Sequence, residues 1–133
     1  MPSAFLPMLV AWCVAWTIAA GITLLRSRPG SSSPESGVVR TGFWSMTLLW
    51  IAIDLAIVVW ALVDPVVDPD EFRRLLLVNG GLDVVYLVVG IVLVRRPEPL
   101  PRGFGIAVLV QGAFLLVFDL AWWLAIEPTP LGG

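Results

Sequence analysis

Three carboxylates interrupt otherwise apolar stretches of this sequence. Asp54, Asp83 and Asp119 each stand in a similar local setting: Ile53-Asp54-Leu55-Ala56, Leu82-Asp83-Val84-Val85 and Phe118-Asp119-Leu120-Ala121. Four-residue matches of this kind arise easily in apolar sequence, so they do not define a repeat. The chemistry open to the residues is specific all the same. A carboxyl in an apolar interior can hold a proton, bridge helices as both donor and acceptor, or bind a cation. Placing one Asp at the centre of a bilayer costs about 2.5–3.5 kcal/mol, so three cost on the order of 8–10 kcal/mol before they find partners.

Neighbouring polar residues fall on the same faces. Asn79, Asp83, Tyr86 and Gly90 are spaced i, i+4, i+7 and i+11, one stripe of a helix. Gln111 and Asp119, eight apart, share a side of another helix. Trp50 with Asp54, and Asp119 with Trp123, pair at i, i+4. The candidate intramembrane polar cluster is therefore Asp54, Asn79, Asp83, Tyr86, Gln111 and Asp119. With no Arg or Lys at their depth, at least one of Asp54 and Asp83 is expected to be protonated, or the two to share a proton or bound cation.

These residues need helices to carry them, and composition says where. The chain has 133 residues, 59% of them hydrophobic and 14% charged, with a mean hydropathy of +0.94. An ordinary soluble domain is about a quarter charged, and one this small could not bury so much apolar surface. The fold class expected is all-α, a polytopic membrane protein with four transmembrane helices over about 4–25, 43–63, 69–94 and 105–126. Together they make a single four-helix transmembrane domain spanning 1–133. The first run reads as an anchor rather than a cleaved signal, because its arginines follow the apolar stretch. Residues 29–41 read as a polar loop with two prolines. Asp68, Pro69, Asp70 and Glu71 fit N-cap, N1, N2 and N3 of the third helix, and Gly80-Gly81 is a candidate bend.

Counting 1.5 Å per residue from these ends puts Asp54 and Asp83 about 16 Å from the arginine-rich edge. Asn79 and Asp119 come out at about 22 Å, and Tyr86 and Gln111 at about 12 and 10 Å. Three layers follow: Asn79 with Asp119, Asp54 with Asp83, Tyr86 with Gln111.

Six of the eight basic residues, Arg26, Arg28, Arg40, Arg95, Arg96 and Arg102, lie on one side of that arrangement. The positive-inside rule makes that side cytoplasmic and puts both termini outside, in a multi-pass plasma-membrane protein. The partners implied are the lipid bilayer and a second copy or another membrane protein. No dense basic patch points to nucleic acid. A single cysteine, Cys13, and the absence of His remove disulfide frameworks, Cys clusters and imidazole chemistry. Cys13 reads as a small buried hydrophobe. Ala11, Ala15 and Ala19 offer a small-residue seam for close packing. Ser45 and Thr47 can bond to their own helix, and Gly103 and Gly105 loosen the start of the fourth.

Phe43-Trp44, the Asn79-Gly80-Gly81-Leu82-Asp83 segment with Tyr86 and Gly90, and Gln111-Gly112 through Phe114-Leu115-Leu116 to Phe118-Asp119 resemble a family of small bacterial and archaeal membrane proteins of unknown function. The resemblance spans about 43–120 and leaves the first helix largely uncovered. It implies four helices with a shared polar interior and no activity. At Asp54 it departs from the family pattern, which often has Asn there, so it does not imply that three carboxylates act jointly.

No catalytic constellation and no cofactor motif is present, so an enzyme is the least supported reading. The sequence points first to a structural or accessory membrane component with a polar intramembrane cluster. The alternative is a proton- or cation-linked small carrier acting as an oligomer, because four helices alone offer little surface to line a solute path.

Overall fold

The computed structural model describes residues 1–26, 34–128 and 130. It contains four helices: α1 (Phe5–Arg26), α2 (Pro34–Val63), α3 (Pro69–Val94) and α4 (Pro99–Ala125). Each is long and apolar enough to cross a bilayer, and no strand occurs among the described residues. The chain is an all-α four-helix membrane bundle, as its composition requires.

Helix α3 begins and ends where its sequence places it. Asp68 caps it, its carboxylate accepting from the Asp70 backbone N–H at 2.9 Å, with Pro69 at N1, where a missing N–H costs nothing. It runs unbroken through Gly80-Gly81. Helices α2 and α4 both start earlier than expected. Residues 34–41, read as loop, are the first two turns of α2, with Pro34 at its start and Glu35 in its first turn. Residues 27–33 of that expected loop lie outside the described residues. Similarly, α4 starts at Pro99 rather than Gly105. Hydropathy marks where lipid begins, whereas proline at N1 marks where helix begins. At 30 residues, α2 is roughly 45 Å long and overshoots the roughly 30 Å hydrocarbon layer. Its extension meets the start of α4 through a Glu35–Arg102 ion pair.

Helix α4 lies between α2 and α3 and packs on both, while α2 and α3 are barely in direct backbone contact. Two glycines allow this, and they do not loosen the helix as expected. A Cβ on Gly103 would overlap the Val39 carbonyl and sit 2.9 Å from the Phe43 nitrogen. One on Gly105 would lie 2.6 Å from the Val94 nitrogen and 2.8 Å from the Gly90 oxygen. Backbones this close are how membrane helices gain packing without a hydrophobic effect between them.

Helix α1 attaches differently. Ala11 and Ala15 are exposed, so the proposed small-residue seam does not form; the inward side carries Phe5, Leu9, Cys13 and Ala20. Cys13 is buried, as expected. Helix α1 packs on α2, while bulky rings hold it to α3 and α4 at side-chain distance: Trp12 stacks on Phe114 at 3.6 Å, and Phe5 meets Phe72 at 5.1 Å and Phe118 at 5.0 Å. At that same end the N-terminal amine donates to the Val66 carbonyl at 3.0 Å. Arg73, on α3, donates to the carbonyls of Trp123 (2.6 Å) and Ile126 at the end of α4. Its guanidinium lies 4.6 Å above the Trp123 ring.

Candidate functional site

The glycine contacts fix the register in which polar residues meet. Gly90 lies against Gly105, and Gly80 against Leu116, so Asp83 on α3 is level with the turn before Leu115 on α4. Gly42 lies against Gly103; counting twelve residues along each parallel helix sets Asp54 level with Leu115. Asp54 and Asp83 therefore lie within about one helical turn of each other along the bundle. The same antiparallel contacts put Asn79 within a turn of Asp119 and Tyr86 within a turn of Gln111.

Two of the expected pairings differ. Asp119 and Asp83, not Asp119 and Asn79, are within hydrogen-bonding reach. Side chains lean toward the N-terminus of their own helix. On antiparallel α3 and α4 the two aspartates thus lean toward each other and close the offset between them. Tyr86 and Gln111 point away from each other. The Tyr86 ring packs against Trp50 of α2 at 4.9 Å, edge to face. The Gln111 Oε1 accepts from the Trp12 indole of α1 at 2.9 Å.

Between α2 and α3 is a cavity of about 160 Å³, lined by Asp54, Asn79, Asp83, Tyr86 and Asp119 together with apolar side chains from all four helices. Five of the six polar residues singled out in the sequence thus share one space. Gln111 does not line it; it is buried on the α1 side. Asp54, Asp83 and Asp119 are 2%, 3% and 6% exposed, and Asn79 and Tyr86 are half-buried at the edge. Val84 and Val92, on the opposite side of α3, are exposed, which agrees with the stripe.

Satisfaction of these groups is incomplete. Asp54 Oδ2 and Asp83 Oδ2 are buried and meet no donor in the protein, and no Arg or Lys lines the cavity. Among the described residues, no three His, Cys, Asp or Glu side chains cluster closely enough to hold a metal ion. Thr47 was expected to bond to its own helix. It is fully buried instead, with its hydroxyl unpartnered.

Sequence reasoning missed Phe5 and Leu9, which close the cavity from α1, because an apolar residue facing a site looks like one facing lipid. It also missed the Arg73 contacts. The rotation of 100° per residue that turns Arg73 inward and Arg74 outward was available from helical periodicity, but the target carbonyls were not.

A family model described as "Family of unknown function (DUF6992)" matches residues 8–120. The match begins within α1, so the first helix, which the resemblance had left largely uncovered, belongs to the shared region. No curated protein and no solved structure matches the chain.

Proposed function

We propose, for a chain that belongs to the family of unknown function DUF6992, that its polar interior is an exchangeable site for a proton or small cation. The observation carrying this reading is the pair of buried, partnerless oxygens, Asp54 Oδ2 and Asp83 Oδ2, on one cavity. A buried acceptor without a donor costs about 1–3 kcal/mol, and more if charged. A proton, or a cation with its own donors, removes that penalty. In this role the protein is an accessory membrane component that binds, or a small carrier that binds and releases. Lining a complete path would take more than one copy.

A second reading, polar adhesion between helices, is supported by the contact between Asp83 and Asp119 across α3 and α4. Asp83→Asn separates the two. It preserves shape and hydrogen bonding but cannot ionise. Under adhesion alone, the thermal midpoint in detergent and every functional readout stay near wild type, since an interhelical bond contributes about 0.6 kcal/mol on average. Under the binding reading, the variant folds normally but loses the infrared carboxyl response to added protons or sodium that wild type gives. A wild-type protein whose carboxyl bands respond to neither would sink the binding reading.

Orientation is a further prediction. Both termini are expected outside, with 26–42 and 95–103 cytoplasmic, because six arginines lie at that end against Arg73 and Arg74 at the other. In a Cys13→Ala background, Ser32→Cys should resist an impermeant thiol reagent in intact cells and react after permeabilisation. Strong labelling of intact cells would reverse the orientation.

A further inference from the structure

The cavity lining combines two kinds of side chain. The three carboxyls and Asn79 are polar, and Phe5, Trp50, Tyr86 and Phe118 are apolar or aromatic. Its opening is sideways. Ile53 and Ile57 on α2 and Leu82 on α3 line the cavity, yet they are 42%, 42% and 47% exposed. They flank the gap left because α4, not direct packing, joins α2 to α3. An apolar mouth at mid-membrane depth faces lipid tails, and a bare inorganic ion would have to lose its water to arrive there.

Resting on the site proposed above, we infer that its ligand is a small primary organic ammonium that enters laterally from the lipid as the neutral amine. Size, donors and walls each bear on the choice. A dry cavity of about 150 Å³ takes a benzene-sized guest, so about 160 Å³ suits an amine with one ring or a short branched chain. A primary ammonium brings three N–H donors to a space with two partnerless carboxyl oxygens and the Asn79 amide. Its positive end and adjoining methylene suit aromatic faces, which attract cations most strongly where water is excluded. The proton balances within the site. A protonated carboxyl passes its proton to the amine lone pair, leaving an ammonium beside a carboxylate, and release reverses the transfer. Charge is thereby created only inside the cavity, between groups that satisfy one another.

The test uses purified full-length protein in lipid nanodiscs, with benzylammonium as probe and toluene as its isostere lacking nitrogen. Saturation-transfer NMR reports occupancy, and infrared difference spectra report the carboxyls. Benzylammonium should bind and change the carboxyl bands, and toluene should bind at least about tenfold more weakly. Asp83→Asn should weaken benzylammonium by about tenfold or more, while Asp83→Glu, which keeps a carboxyl, should retain most of the binding. Trp50→Leu should weaken it roughly three- to tenfold. Helical circular dichroism and a monodisperse elution profile establish that each variant is folded. If sodium or protons alter the wild-type carboxyl bands while benzylammonium neither binds nor alters them, the ammonium is wrong and the cation site stands. Carboxyl bands unresponsive to all three would overturn both. Equal binding of toluene and benzylammonium, unaffected by Asp83→Asn, would reduce the cavity to an apolar void and overturn the inference.

Discussion

Gly103→Ala is expected to force α2 away from α4 and to lower the thermal midpoint in mild detergent sharply. The added methyl would occupy the space of the Val39 carbonyl and press on the Phe43 nitrogen. Both are backbone atoms of a helix that cannot yield without moving as a unit. Overpacking against side chains typically costs about 1–3 kcal/mol; against backbone, about 3 kcal/mol or more is expected, since no rotamer change relieves it. Gly81→Ala is the matched control. It adds the same methyl to α3, where nothing lies within 4 Å, and should leave the midpoint unchanged or raise it, gaining up to about 1 kcal/mol of stability through helix propensity. The two midpoints, followed by circular dichroism, decide the matter. If they coincide, the α2–α4 contact is not as close as described.

The second large effect concerns Arg73. Helix α4 has no basic residue in its last turn, so the negative end of its dipole and its last carbonyls need a partner from elsewhere. Arg73 supplies one from α3, through the Trp123 and Ile126 carbonyls and the Trp123 ring. Arg73→Gln should cost about 2–4 kcal/mol, combining lost charge-assisted bonds with the lost ring contact. Amide hydrogen exchange should accelerate selectively over 122–126. Arg74→Gln removes the same charge from the adjacent, exposed position and should have little effect. Equal effects of the two would mean that the end as a whole needs positive charge, and the capping geometry would lose its role.

Much of this architecture was legible in the sequence, and the exceptions have physical causes. The start of α3 could be read to the residue because Asp68 and Pro69 act within one turn. The starts of α2 and α4 could not, since apolarity reports the lipid boundary and both helices continue past it. The stripe of Asn79, Asp83 and Tyr86 was visible because helical period alone aligns them. Their partners were not visible. Whether Asp119 meets Asn79 or Asp83 depends on the lean of side chains across antiparallel helices, and whether Gln111 meets Tyr86 or Trp12 depends on where α1 lies. Gly103 and Gly105 read as flexible by residue type alone, and only the neighbouring backbone reveals them as points of closest approach.

The central place of α4 also has a consequence for how the protein is made. Translation delivers the helices in order, and α4, which packs on both α2 and α3, emerges after both. Until it arrives, α2 and α3 form a hairpin with few contacts of its own, carrying Asp54 and Asp83 into the bilayer before Asp119 is available. The insertion machinery must therefore tolerate two carboxyls whose eventual neighbours are still inside the ribosome. The bundle closes only when α4 brings Gly103 and Gly105 against backbone of α2 and α3.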